Sequence, residues 1–156
     1  MDALIFAAVL IIGYTAGLRA LTPPAVIAWA AYLGYIDLHS TSLSFTGSLI
    51  AVGIFSLLAV GEYIGDMLPT TPARTAAPGL IARVLTGSFS AACILMATNQ
   101  AIFYFVVGGI MAIVGAYSGY YLRTGTVRRL GIRDAFAAIT EDVVAICLAI
   151  AAVAMV

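Results

Sequence analysis

The fold of this chain follows from residues 49–66, LIAVGIFSLLAVGEYIGD. The first part of this stretch is apolar, and Glu62 and Asp66 follow it four residues apart, so the two carboxylates share one face of a helix. The wider apolar run covers residues 45–68. Crossing a bilayer core of about 30 Å takes about 20 apolar residues. The stretch therefore predicts a membrane-spanning helix with two acidic side chains near one end.

The composition of the whole chain agrees with a membrane location. Of its 156 residues, 63% are hydrophobic and 9% are charged, whereas about 25% of an ordinary soluble domain is charged. Seven arginines balance seven acidic residues, and there is no lysine. Because the net charge is zero, nothing attracts the chain as a whole to nucleic acid. We therefore predict an integral membrane protein whose surroundings are the lipid bilayer, with no nucleic-acid partner.

Similar apolar runs lie between Pro, Gly and charged residues along the rest of the chain. The six predicted segments are 3–21, 24–36, 45–68, 78–98, 101–122 and 132–156. The second reaches only about 20 Å as a helix, so it either crosses a thinned bilayer or re-enters the side it left. The fold class that follows is all-α, a polytopic transmembrane helical bundle forming a single transmembrane domain over residues 1–156.

The arginines predict how the bundle is oriented. If all six segments cross, every arginine lies on or near one side, and the loops at 37–44 and 99–100 on the other side contain none. Arginine-rich loops stay in the cytoplasm, so both termini are expected outside. No basic residue precedes the first apolar run, and a cleaved signal peptide is not expected. The alternative makes residues 18–36 a re-entrant hairpin, with five crossings and the N-terminus inside.

Paired glycines mark the cytoplasmic ends of the odd-numbered segments. The pairs are Gly13 and Gly17, Gly61 and Gly65, and Gly115 and Gly119. Glycines four residues apart let helix backbones approach closely. The pattern is consistent with three repeated helical hairpins of the same orientation, and equally with close packing that involves no shared ancestry.

Ionisable residues inside the apolar segments are the candidate functional site. A charged side chain in hydrocarbon costs about 2.5–3.5 kcal/mol on insertion scales, so such groups normally face a bundle interior or a partner. All of these residues map to the predicted cytoplasmic half. The candidate substrate- or ion-binding residues are Arg19, Glu62, Asp66, Arg83, Glu141 and Asp142. They predict a polar cluster that binds a proton, a cation or a small anionic solute, or a purely structural ion-pair network.

A second group of arginines suits the membrane surface. Arg123, Arg128, Arg129 and Arg133 belong to or flank the only long polar stretch of the chain, and their charges match anionic lipid headgroups. Catalysis is not expected, because the only histidine, His39, lies on the side opposite the polar cluster and leaves no Ser-His or Cys-His pair. No cofactor is predicted, and metal binding is left open.

Several motifs together resemble a family of small bacterial membrane proteins catalogued as a domain of unknown function. They are Gly17-Leu18-Arg19 with Thr22-Pro23, Gly61-Glu62 with Asp66 and Pro69, Pro72-Ala73-Arg74-Thr75 with Arg83, and Glu141-Asp142. The resemblance covers essentially the whole chain, and its motifs contain the same Arg, Glu and Asp residues that the cost of charge singles out. We expect a bacterial inner-membrane location. The resemblance implies no activity.

The function expected from these observations is that of a small transporter or channel. Two alternatives stay open, a protein that handles lipid phosphates and a membrane scaffold or assembly factor. Because so short a chain can barely enclose a pathway by itself, we expect a homo-oligomer.

Overall fold

A computed structural model describes residues 2–66, 75–131 and 134–156 of the chain. The described residues form six α-helices and two short 3-10 helices, with no strand among them. The α-helices are α1 (Ala3–Leu18), α2 (Thr22–Tyr32), α3 (Leu49–Gly65), α4 (Ala77–Ala97), α5 (Phe105–Leu130) and α6 (Asp134–Val153). The all-α bundle of six segments predicted from the sequence is confirmed.

The helix ends follow local sequence rules. The carboxylate of Asp2 accepts a hydrogen bond from the Leu4 amide at the start of α1, and Ser48 does the same for the Ala51 amide at the start of α3. Such side chains satisfy amide donors that have no partner within the helix. The helix α5 stops at Gly131, whose φ of +63° is left-handed and favours glycine.

Helices α1, α4 and α5 are packed through glycines. A Cβ atom on Gly13 would lie 2.4 Å from the Gly108 carbonyl oxygen, and one on Gly17 would lie 2.3 Å from the Ala112 carbonyl oxygen. Gly13 faces Gly108 and Gly17 faces Ala112, so the residue numbers of α1 and α5 increase in the same direction. These two helices therefore run parallel. Gly87 of α4 also lies against Gly108. The close packing predicted for Gly13, Gly17 and Gly115 is therefore confirmed.

The glycine pair of α3 behaves differently. A Cβ atom on Gly61 or on Gly65 would meet no atom of the described residues within 4 Å. Among the described residues, the prediction that this pair packs closely is wrong, because α3 turns these glycines away from the other described helices and contacts α2 instead. The spacing alone could not tell which side of α3 faces the bundle. Shared ancestry of the three hairpins stays a prediction.

The second predicted segment forms a short helix followed by an irregular stretch. The 11 residues of α2 extend about 16 Å. The segment starts beside Glu62 near the end of α3, and by Ser42 it has reached Met96 near the end of α4. Ile36 and Leu38 on the way are buried. The chain thus passes from one end of the bundle to the other instead of returning, as six passages require.

Several helices are apolar and long enough to cross a membrane. Within the described residues, three stretches meet both criteria, Ala77–Ala97, Ile102–Arg129 and Phe136–Val153, and Ala3–Leu18 and Leu49–Gly65 are shorter apolar helices. Many large apolar side chains on the outside of the bundle are exposed, among them Leu57, which is 75% exposed. Such a surface matches hydrocarbon, and the chain is accordingly a membrane protein.

Candidate functional site

The tight turn between α1 and α2, residues 19–21, is the centre of the candidate site. The two carboxylate oxygens of Glu62 accept hydrogen bonds from the amides of Ala20 and Leu21, each at 2.8 Å. Leu21 is the N-cap residue of α2 and provides no side-chain cap. Glu62 therefore supplies from α3 the acceptors that a capping side chain would supply locally. We call the end of the bundle that holds this turn the charged end.

Arg19 is the most deeply placed charge, with a side chain that is fully buried. Its Nη1 donates to Asp66 Oδ2, and its Nε lies 2.5 Å from Asp142 Oδ1 in an ion pair that lacks hydrogen-bond alignment. The guanidinium also lies 5.6 Å from the centre of the Tyr63 ring, within the range of a cation–π interaction. Its Nη2 makes no hydrogen bond to the described residues.

Arg83 of α4 contacts α1 and α3 and also a carbonyl group of its own helix. Its Nε donates to the Gly17 carbonyl at 3.1 Å and its Nη1 to the Gly79 carbonyl at 3.0 Å. Its Nη2 lies 3.5 Å from Glu62 Oε1. Gly17 lies in the last turn of α1, where carbonyl groups lack partners within the helix, so Arg83 satisfies one of them and places a positive charge at the negative end of the helix dipole.

Arg123 also belongs to this cluster. Its Nε and Nη2 donate to the two carboxylate oxygens of Asp134 at 2.9 and 2.6 Å, and its Nη1 lies 3.6 Å from Asp66 and 3.7 Å from Glu141. Contact of Arg123 with lipid headgroups, expected from the sequence, stays a prediction, and its side chain is 15% exposed. The structure adds Arg123 to the ion pairs of α3 and α6 through these three carboxylates.

The remaining predicted headgroup residues lie elsewhere. Arg128 and Arg129 are exposed in the last turn of α5. Arg133 lies outside the described residues. His39 is exposed in the loop at the opposite end of the bundle, where its amide donates to Asp37.

The charged side chains thus form one group, which we call the charged network. Its members come from five of the helices and their ends: Arg19, Glu62, Asp66, Arg83, Arg123, Asp134, Glu141 and Asp142. All six predicted substrate- or ion-binding residues are among them. Within the described ranges, no three His, Cys, Asp or Glu side chains are grouped so that they could hold a metal ion.

Three members of the site were missed by the sequence analysis. Two of them are Tyr63 and Thr22, whose hydroxyl groups form a hydrogen bond of 2.7 Å. Tyr63 also faces Arg19, and Thr22 is 1% exposed. Asp134 pairs with Arg123 from the first turn of α6. The signal for Tyr63 was its position three residues before Asp66, which puts both on nearly the same helix face. No spacing in the sequence connected Asp134 to Arg123.

A cleft between α5 and α6 opens onto the charged network. It has a volume of about 300 Å³, and Arg123 and Glu141 form its charged part. Apolar side chains such as Leu122 and Val144 line most of the rest, and α1 contributes Tyr14. The cleft exists because α5 and α6 meet along only a small part of their length.

The sequence motifs now have a common structural setting. The Gly-Leu-Arg and Thr-Pro motifs form the α1–α2 turn, and the Glu, Asp and Arg residues of the other motifs surround it. The family model described as "Domain of unknown function (DUF4126)" matches residues 6–155. The chain belongs to this family. Neither a curated protein nor a solved structure matches the chain significantly. The description of the family names no activity, so the geometry of the site is what bears on function.

Proposed function

We propose that this DUF4126 protein is a small membrane transporter or channel. In this proposal the charged network binds a proton, a cation or a small anionic solute in the cytoplasmic half of the bacterial inner membrane. The observation that carries it is the placement of the charged network beside an open cleft, with Arg123 and Glu141 belonging to both. Ions that enter the cleft can reach charged groups without crossing the apolar core.

The energetic cost of the charged network supports a binding role. Removing charges from water is expensive, and well-packed apolar residues of similar volume are often as stabilising as a buried ion pair. The side chain of Arg19 is fully buried, and its partners Asp66 and Asp142 are 17% and 13% exposed. A chain that keeps these charges for packing alone gains little from them. Solute binding gives their presence a function.

The test measures solute flux and binding in the same lipid environment. Purified protein in liposomes is assayed for uptake of protons, monovalent and divalent cations, and small anions, and its thermal stability is measured in nanodiscs with each solute. Asp142→Asn and Glu141→Gln remove negative charge from the charged network. Asp37→Asn makes the same chemical change in the exposed outer loop and serves as the matched control.

We expect at least one solute to be carried, and both network variants to reduce its flux while the control leaves it unchanged. A ligand that binds only the folded protein stabilises it by about 2.7 kcal/mol at a concentration 100 times its dissociation constant. If no solute is carried or bound by the wild type, or if the network variants carry it as well as the control, the proposal is wrong.

A second candidate is a membrane scaffold or assembly factor in which the charged network is structural. The contacts of Glu62 and Arg83 favour it, because both residues bond to backbone groups of the α1–α2 turn and its neighbours. This candidate predicts that substitutions in the network lower stability while no solute stabilises the protein.

The remaining proposals concern assembly and chemistry. We propose that the protein is a homo-oligomer, since a bundle of this size encloses little volume. We also propose that it binds its solute without catalysing a reaction, since the described members of the charged network include no nucleophile paired with a base. Light scattering of the protein in nanodiscs or detergent measures the number of copies. A uniform monomer that retains flux contradicts the oligomer proposal.

A further inference from the structure

The cleft between α5 and α6 has two chemically different parts. Its walls are largely apolar, with Leu122 on α5, Val144 on α6 and Leu18 of α1 among the lining residues. Arg123 and Glu141 form a charged part where the cleft meets the charged network. An occupant that matches both parts has an apolar body and a polar end.

The surroundings of the cleft are apolar as well. On α5, Tyr121 is 68% and Leu122 is 63% exposed, and on α6 Phe136 is 62% exposed. In a membrane protein, exposed apolar side chains of this kind contact lipid chains. The cleft is therefore accessible from the side of the bundle, where the molecules present at highest concentration are phospholipids.

Among the described residues that line the cleft, one cation and one anion lie close together. Arg123 comes from α5 and Glu141 from α6, and the Nη1 to Oε2 distance of 3.7 Å exceeds a hydrogen bond. Asp134, which holds the Nε and Nη2 of Arg123, is 61% exposed. A phosphate group has the geometry to occupy the same two donors of Arg123, since guanidinium groups bind phosphate and carboxylate alike.

We propose that this cleft binds the headgroup region of a phospholipid that carries a primary ammonium beside its phosphate. Arg123 binds the phosphate, exchanging Asp134 for it, and Glu141 accepts hydrogen bonds from the ammonium. The upper parts of the acyl chains lie along Leu122 and Val144. A volume of about 300 Å³ lies at the lower end of small-molecule sites, so the chains continue into the bilayer.

The pairing of charges decides between headgroup classes. A purely anionic headgroup would place its negative charge beside the carboxylate of Glu141, which opposes binding. A quaternary ammonium has no N–H to donate to Glu141. A primary ammonium phosphate matches both residues at once. The inference goes beyond solute transport, because a chain that carries no solute can still bind lipid in this way.

The test compares lipids on the purified full chain by native mass spectrometry in detergent. Phosphatidylethanolamine, phosphatidylcholine and phosphatidylglycerol with identical acyl chains are titrated separately, and the fraction of protein carrying one lipid is measured. Free phosphoethanolamine is added as a competitor to separate the headgroup from the whole lipid. Arg123→Gln and Glu141→Gln remove the charged part of the site, and Asp37→Asn, which removes a charge from the exposed loop at the opposite end of the bundle, is the control.

A further variant, Ala137→Leu, adds bulk to the cleft wall without removing an ion-pair member. It keeps the proposal testable if Arg123→Gln does not fold. We expect phosphatidylethanolamine to bind best and its affinity to fall about tenfold in Arg123→Gln, equivalent to about 1.4 kcal/mol. We expect a loss of similar size in Ala137→Leu and none in Asp37→Asn.

Three results would overturn the inference. The first is equal binding of the three lipids to the wild type. The second is binding that Ala137→Leu leaves unchanged or that Asp37→Asn weakens as much as Arg123→Gln does. The third is displacement by free phosphoethanolamine at the concentrations at which the whole lipid binds, which would make the ligand a soluble phosphate. Absence of solute flux and solute binding in the wild type, with the lipid preference intact, would contradict the proposed function alone.

Discussion

Replacing Glu62 by glutamine is the sharpest test of how the charged end is held together. The carboxylate of Glu62 accepts hydrogen bonds from the Ala20 and Leu21 amides, each at 2.8 Å. Glutamine keeps one acceptor oxygen and puts an NH₂ group, which is a donor, where the second oxygen was. One of the two amides then faces another donor and loses its partner, and the whole contact loses its negative charge.

The size of the effect follows from these contacts. A buried donor left without a partner costs about 1–3 kcal/mol, and a hydrogen bond to a neutral acceptor contributes about 1 kcal/mol less than one to a charged acceptor. The loss of charge also weakens the attraction to Arg83, whose Nη2 is 3.5 Å away. We therefore expect Glu62→Gln to lower the free energy of unfolding by about 2–4 kcal/mol.

The assay is equilibrium unfolding of the protein in mixed micelles, in which the fraction of denaturing detergent is raised. Fluorescence of Trp29, the single tryptophan, reports the transition because its Nε1 donates to Ser56 on α3 at 3.0 Å. Asp37→Asn is the control and should stay within about 0.5 kcal/mol of the wild type, as surface substitutions usually do.

Equal stability of Glu62→Gln and the control would refute the reasoning that the carboxylate holds the α1–α2 turn. A loss of stability in Glu62→Gln together with unchanged solute binding would assign Glu62 to structure. Such a result would leave Glu141 and Asp142 as the acids available to a solute.

Three further predictions use the same unfolding assay. Gly17→Ala should lower the free energy of unfolding by about 2 kcal/mol or more, because the added Cβ would lie 2.3 Å from the α5 backbone. Gly61→Ala places its Cβ more than 4 Å from the described residues and should change the free energy of unfolding by less than about 1 kcal/mol. Equal losses would contradict the packing described. Arg83→Lys should cost about 1–2 kcal/mol, since one ammonium cannot reproduce the three directions of the guanidinium contacts; full stability would show that charge alone suffices. Tyr63→Phe should cost about 1 kcal/mol through loss of the hydrogen bond to buried Thr22, and an unchanged midpoint would show that this hydroxyl contact contributes nothing.

The helices themselves could be predicted from the sequence because their signals are local. The run 78–98 was predicted as one segment, and α4 covers Ala77–Ala97. A long apolar run between prolines and charges satisfies its backbone hydrogen bonds as a helix wherever it lies in the bundle. The short second segment was also visible in the sequence, and the structure divides it into α2 and an irregular stretch because the apolar run is too short for a full passage.

The members of the charged network could be predicted because a charged side chain in hydrocarbon is costly. Charged side chains inside apolar helices normally pair with one another, so Arg19, Glu62 and Asp142 are expected at one end of the bundle. The structure places them there. Their pairing could not be predicted. The partner of each charge depends on how far its helix is rotated about its own axis, and packing against the other helices sets that rotation.

The sequence by itself thus determined the fold class, the six segments and the end of the bundle at which the charges gather, because each depends on apolar length and on the cost of charge in hydrocarbon. Only the tertiary structure decided that Glu62 binds the backbone of the α1–α2 turn, that Arg123 lies inside the charged network, and that α3 turns Gly61 outward. These features arise from contacts between helices far apart in the chain, and side-chain spacing within one helix carries no information about them.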